Sequence, residues 1–265
     1  DGLGQMLPAA AGVEVSAARP RGVSAEWVTP PSDSGRVIVY LHGGGYCIGS
    51  LASHRSMLTH LAVAASARVL AVDYRLAPEH AHPAALDDAV AAYRWAVEDQ
   101  GADPARAVVA GDSAGGGLTV ATLVALRDAG APLPAAGVCL SPWADLTQSG
   151  STIEERAAED PLVRAADLER WAAMYAGDAD PGAPSISPLF ADLAGLPPLL
   201  IEVGTSEVLL DDARRLAERA RAAGVDVSLT TAEDMIHVWH FFAGMVPEAD
   251  EGVQRVAEFI TSRTA

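Results

Sequence analysis

A serine sits among small residues in Gly111-Asp112-Ser113-Ala114-Gly115, directly after an apolar run at 105–111 and before a helical stretch at 114–129. In that context G-x-S-x-G folds as a sharp strand-to-helix turn and presents its hydroxyl at the carboxyl end of a sheet. The residues two before and two after the serine must be small to avoid collision, and here both are glycine. The free N–H groups of the following helix end can receive a developing oxyanion. Nucleophilic attack on a carbonyl is the chemistry such a turn serves. The competing reading is a glycine-rich turn that holds a phosphate.

A serine nucleophile needs a base whose pKa lies near neutrality, and histidine is the natural choice. Of seven histidines (42, 54, 60, 80, 82, 237 and 240), only His237 and His240 follow the serine. Chain order around such a turn runs Ser, then Asp or Glu, then His. His237 lies in the loop after the last expected strand, within reach of the turn. His240 would fall one helical turn further on, where packing suits it better. The acid that orients His237 should follow the strand expected at 199–204, which leaves Glu207, Asp211 and Asp212. The two aspartates open a helix, where capping and the dipole explain acidic residues without any catalytic role. Glu207, in the strand–helix loop, is therefore the expected acid.

His42-Gly43-Gly44-Gly45 ends an earlier strand. Consecutive glycines let the backbone approach a substrate and turn N–H groups into a cavity, the arrangement that completes an oxyanion hole in lipases and esterases. His42 itself reads as a brace for this loop. Tyr74 to Glu79 reads as scaffold, with Pro78 fixing a turn and Arg75 placed to pair with a buried carboxylate.

Composition narrows the chemistry. All eighteen basic residues are arginines, so Schiff-base chemistry, pyridoxal phosphate attachment and a P-loop lysine are excluded. The absence of asparagine removes N-glycosylation and a Cys-His-Asn triad. The histidines are scattered, with no His-x-x-x-His pair and no cysteine cluster, so no metal is expected. A net charge of −17 argues against nucleic acid and anionic membrane surfaces. No apolar run reaches the roughly 18–20 residues of a membrane span. Cys47 and Cys139 read as free thiols in a cytoplasmic protein. The first eleven residues carry no signal-peptide pattern. The chain opens with Asp rather than Met, which leaves a removed leader open.

Positioning this chemistry requires alternating strands and helices. Short apolar runs at 36–42, 68–74, 105–111, 137–142, 199–204 and 225–231 read as buried parallel strands. Helices are expected at 53–66, 84–99, 114–129, 211–223 and 250–262, with Gly101, Gly130 and Gly224 as C-caps. Segments 13–17 and 24–29 alternate polar and apolar, as an antiparallel edge pair would. The expectation is one α/β domain over residues 1–265, a mostly parallel sheet with helices on both faces. Residues 145–197 break the alternation and carry their own helix near 165–175; such excursions are often functional, and a lid or cap is expected here.

His42-Gly-Gly-Gly45, Asp73-Tyr-Arg-Leu-Ala-Pro-Glu79, Gly111-Asp-Ser-Ala-Gly-Gly116, Ser141-Pro-Trp143 and His237 together resemble the hormone-sensitive-lipase-like esterases, bacterial family IV of the α/β-hydrolases. The resemblance implies an oxyanion hole from the amides of Gly44, Gly45 and Ala114. It aligns Glu207-Val-Leu-Leu-Asp211 with the family's Asp-x-Leu-x-Asp, placing the acid at Glu207, with Glu where Asp is usual. It also implies a helical cap built partly from the N-terminus, here residues 1–12 and short. Ester hydrolysis of short to medium acyl chains, no cofactor and a homodimer complete the implication. Tyr46 and Trp143 are the expected pocket residues. Lactone hydrolysis and deacetylation of a small metabolite use the same triad and stay open. A non-catalytic receptor on this fold is the reading from another class, and the presence of serine, histidine and acid together argues against it.

Overall fold

The protein is described by a computed structural model over residues 7–264. Its strands are β1 (Glu14–Ala18), β2 (Ser24–Thr29), β3 (Arg36–Leu41), β4 (Ala67–Asp73), β5 (Ala107–Asp112), β6 (Ala136–Leu140), β7 (Leu199–Gly204) and β8 (Val227–Ala232). They form one sheet in the order β1-β2-β4-β3-β5-β6-β7-β8. β1 pairs antiparallel with β2, and β2 with β4; the remaining pairs are parallel. The edge pair expected at 13–17 and 24–29 is present, with Glu14 opposite Thr29 and Ala18 opposite Ala25.

The helices are α1 (Leu51–Ala65), α2 (Ala84–Arg94), α3 (Ala114–Asp128), α4 (Thr152–Glu155), α5 (Ala165–Ala176), α6 (Leu210–Ala222) and α7 (Pro247–Arg263). Side chains alternate across a strand, so an unbroken apolar run supplies two cores. In β3, Val37, Val39 and Leu41 join the core under α2, α3 and α6, while Ile38 and Tyr40 join the core under α1 and α7. Gly130 and Gly224 adopt positive φ just past α3 and α6, as C-cap glycines do. The helix expected at 84–99 stops at Arg94 and continues as a π turn, Trp95–Asp99.

Residues 145–197 cross between β6 and β7 and carry α4 and α5. The first turn of α6 holds this segment. Asp211 Oδ2 accepts from Ser151 N at 2.8 Å, and Asp212 Oδ2 accepts from Ala144 N and Asp145 N at 2.9 Å each. The two aspartates were expected to serve their own helix end. They grip the crossing segment instead, because that segment runs past α6 with its amides turned toward them. Arg215 bridges Asp145 and Asp212 at 3.0 Å each. Burial and the neighbouring Asp145 push the Asp212 carboxyl up to about 7.

Of the N-terminal piece expected in a cap, residues 1–6 lie outside the described residues. The stretch that follows lies against α1: Ser56 Oγ donates to the Pro8 carbonyl at 2.6 Å, and Ala10 N to Thr59 Oγ1 at 2.8 Å. Among the described residues no helix is long and apolar enough to cross a membrane.

Candidate active site

Ser113 sits between β5 and α3 with φ 54° and ψ −122°. A non-glycine residue at positive φ is uncommon and costs energy that the surroundings must supply. The surroundings here are tight. A Cβ on Gly111 would overlap the Gly115 carbonyl, and one on Gly115 would overlap that of Leu41. The turn is also tied down: Ser113 N donates to Leu140 O at 2.8 Å, and Trp143 N donates to Ser113 O at 2.9 Å.

Glu207 and His237 come from the loops after β7 and β8. Glu207 is fully buried, and a buried carboxylate must be hydrogen-bonded. Its Oε1 accepts from Gly204 N at 2.6 Å and Ser141 Oγ at 2.7 Å; its Oε2 lies 2.7 Å from His237 Nδ1. Ser141 Oγ accepts in turn from Val238 N at 3.1 Å, fastening the residue after the histidine. Sequence reasoning noted Ser141 only as part of a motif. Burial opposes charge on His237, but Glu207, with Asp160 and Asp112 beyond it, outweighs burial and raises its pKa above the ordinary 6.5. His240 lies apart, buried with Nε2 2.8 Å from Glu202 Oε2, while Glu202 Oε1 accepts from Arg255 Nε at 2.9 Å.

The glycine loop packs beside the serine. Gly44 and Gly45 have φ of 117° and 60°, a region open to glycine at little cost. Among the described residues neither amide donates a hydrogen bond within the protein. Ala114, the third expected donor, is buried at the start of α3. His42 braces the loop as expected: its ring stacks on Tyr74 with centroids 4.3 Å apart, and Tyr74 Oη donates to the His42 carbonyl at 2.6 Å. Burial lowers the His42 pKa to about 4, so the brace stays neutral. Arg75 finds its carboxylate in Asp88, at 2.8–3.1 Å.

Ser113, His237, Gly44 and Gly45 line one cavity of about 300 Å³. No hydrogen bond joins the Ser113 and His237 side chains among the described contacts; before substrate arrives such contacts are often long. Leu162, Val163, Leu168 and Trp171 from the crossing segment, with Ile48 and Phe241, form the apolar wall. The expected lining residues Tyr46 and Trp143 are absent from it. Tyr46 stacks on Tyr175 at 3.7 Å, and Trp143 is fully buried with Nε1 donating to Asp145 O. Both rings are consumed in seating the crossing segment on the sheet. Trp171 packs so closely on the loop that a Cβ at Gly45 would overlap its ring. Asp160 is a further residue that the sequence did not single out. It accepts from Leu162 N, Val163 N and Val208 N, which anchors the wall beside the acid loop.

The arrangement can activate a serine, stabilise an oxyanion and bury an apolar group beside them. Residues 38–241 match the family described as alpha/beta hydrolase fold. An acetyl-hydrolase of Streptomyces hygroscopicus is 50% identical over 241 residues, 91% of this chain and 80% of that protein. An esterase crystal structure from the bacterial hormone-sensitive lipase family superposes with a TM-score of 0.97 at 51% identity, covering 99% of this chain and 88% of that one. The crystal structure of EstE5 soaked with p-nitrophenyl butyrate superposes with a TM-score of 0.95 at 47% identity, covering 99% of this chain and 89% of that one. The chain belongs to the α/β-hydrolase fold family and, within it, to the bacterial hormone-sensitive-lipase-type esterases.

Proposed function

We propose that this esterase hydrolyses short- to medium-chain acyl esters through a Ser113–His237–Glu207 triad and an acyl-enzyme intermediate. Ser113 Oγ attacks the ester carbonyl while His237 takes its proton. Glu207 holds the imidazole in orientation and stabilises the imidazolium that forms. The amides of Gly44, Gly45 and Ala114 receive the oxyanion. His237 then protonates the leaving alcohol, activates a water against the acyl-enzyme and returns the proton to Ser113. One observation carries the reading: His237, paired with the buried Glu207, shares a cavity with a serine on a strained turn and a glycine loop with unengaged amides.

In this reading residues 145–197 form the cap of a single domain and set the acyl limit. The wall carries no arginine among the described residues, which favours uncharged acyl groups. Free Cys47 and Cys139 agree with a cytoplasmic location, and β8, open along one edge of the sheet, supports a homodimer, checked by sedimentation. The test of the function is a p-nitrophenyl ester series from acetate to laurate. Turnover should be highest among the short and medium chains and absent in Ser113→Ala. Equal turnover by the alanine variant would refute the mechanism.

A further inference from the structure

We propose that Asp112 is a positioning residue for this hydrolysis, whose carboxylate latches the glycine loop onto the nucleophile turn, with His54 closing the latch from the far side. The inference rests on the serine mechanism above. Asp112 directly precedes Ser113 and is 1% exposed. Its Oδ1 accepts from Tyr40 Oη at 2.8 Å and from Gly43 N at 3.1 Å. His54 Nε2 lies 3.3 Å from Oδ2. A Cβ at Gly43 would overlap Oδ2, so the carboxylate occupies the space that a side chain there would need.

The placement has a functional consequence. Gly43 is followed directly by Gly44 and Gly45, the two loop donors. Oxyanion stabilisation demands donors about 2.7–3.1 Å from the oxygen of the transition state. Glycines impose no rotamer or Cβ limits on the backbone, so the loop needs an outside restraint. Asp112 supplies it from the same turn that carries the nucleophile, and fixes donor and nucleophile to each other.

A buried negative charge beside a developing oxyanion works against the reaction, so its retention requires a reason. Burial pushes the Asp112 carboxyl up, but His54 and Tyr40 outweigh burial and hold it below the ordinary carboxylate range. A leucine of similar size would strand the Tyr40 O–H in the interior and leave the Gly43 N–H only its 3.3 Å contact with His54 Nε2. An asparagine would keep the geometry: its oxygen can accept from both donors while its amide group donates to His54 Nε2. His54 is itself held, with Nδ1 2.8 Å from Ser53 Oγ and its ring edge-on to Phe241 at 4.9 Å.

The experiment compares Asp112→Ala and Asp112→Asn for kcat and KM on p-nitrophenyl butyrate, and for inhibition by a trifluoromethyl ketone that mimics the tetrahedral adduct. Removing an oxyanion donor typically lowers kcat about 10²–10³-fold. Asp112→Ala should lose about 10²-fold in kcat with KM little changed, and weaken the ketone in parallel. Asp112→Asn should recover most of both. Should the alanine variant fail to fold, Gly43→Ala carries the same test, because its Cβ displaces the carboxylate from the loop. A loss confined to KM, an asparagine variant as impaired as alanine, or unchanged kcat in the variant tested would overturn the latch. Organophosphonate labelling of wild-type Ser113 separates the two readings. An unlabelled Ser113 sinks the serine mechanism; a labelled one with unaffected variants sinks only the latch.

Discussion

Glu207 Oε2 lies 2.7 Å from His237 Nδ1 although the residues are thirty apart in the chain. The other oxygen of the same carboxylate is held by Gly204 N and Ser141 Oγ. The acid is thus fixed through Oε1 while Oε2 orients the ring, and little freedom remains for the histidine to turn away from the serine.

That geometry separates two acidic candidates by experiment. Glu207→Gln should cut kcat severely, on the order of 10³–10⁴-fold, because the imidazole loses its orienting anion. Asp211→Asn should keep near-normal kcat. It loosens the grip on Ser151 and costs about 1 kcal/mol of stability, as lost caps do. Steady-state kinetics and thermal melts on both variants check the pair, and an inactive Asp211→Asn beside an active Glu207→Gln would reverse the assignment.

Ser113→Ala should fold normally, since alanine fits the same turn, and should lose kcat by several orders of magnitude. EDTA should leave wild-type turnover unchanged. Activity lost on chelation and restored by zinc would point to a metal-bound hydroxide instead.

The pH profile follows from the raised pKa of His237. Only the neutral ring accepts the serine proton, so kcat/KM should climb through a midpoint above 6.5 and level off in mild alkali. Glu207→Gln removes the neighbour that raises the pKa and leaves burial, so its residual activity should titrate lower. A wild-type midpoint below pH 6 would contradict the Glu207–His237 coupling. The same shift bears on stability: the raised folded pKa favours the protonated fold, a contribution full below about 6.5 and lost as pH rises through the folded value.

Asp212 gives a second, independent slope. Its folded pKa of about 7 exceeds the value of about 3.9 expected when unfolded. The native state therefore holds a proton that the unfolded chain releases, and stability falls as pH rises from about 4 to about 7. Asp212→Asn keeps an acceptor for Ala144 N and Asp145 N and should flatten the melting temperature across that window. An unchanged slope would show that the group does not titrate there.

Trp171 predicts specificity. Trp171→Ala should enlarge the cavity and move the acyl optimum toward longer chains, read as the ratio of kcat/KM for octanoate and butyrate esters. An unaltered ratio would remove Trp171 from the acyl wall.

Much of this was legible in the residues. Short apolar runs bounded by Gly and Pro gave the strands, and chain order brought Glu207 and His237 together because each follows its strand by a few residues. Local rules carry such information. The cavity wall was misread: Tyr46 and Trp143 lie next to motifs but are buried against Tyr175 and the crossing segment. Whether an aromatic ring faces a cavity depends on what packs on its other side, which is a long-range property. The tie from Asp160 to Val208 and that from Asp211 to Ser151 are hidden for the same reason, since they span 48 and 60 residues. The π turn after Arg94 replaced the expected end of one helix without disturbing Gly101 beyond it.

Leu162, Val163, Leu168 and Trp171 fall within one short stretch of the chain, while Ser113, Glu207 and His237 are carried at the ends of β5, β7 and β8. Inheritance can act on these two sets separately. Substitutions or a recombined fragment confined to 162–171 would change which esters enter, with the proposed triad untouched, whereas a change near β5 risks the reaction itself. Lineages descended from such an ancestor should diverge fastest in the crossing segment, and their substrate ranges should sort by its sequence rather than by that of the sheet.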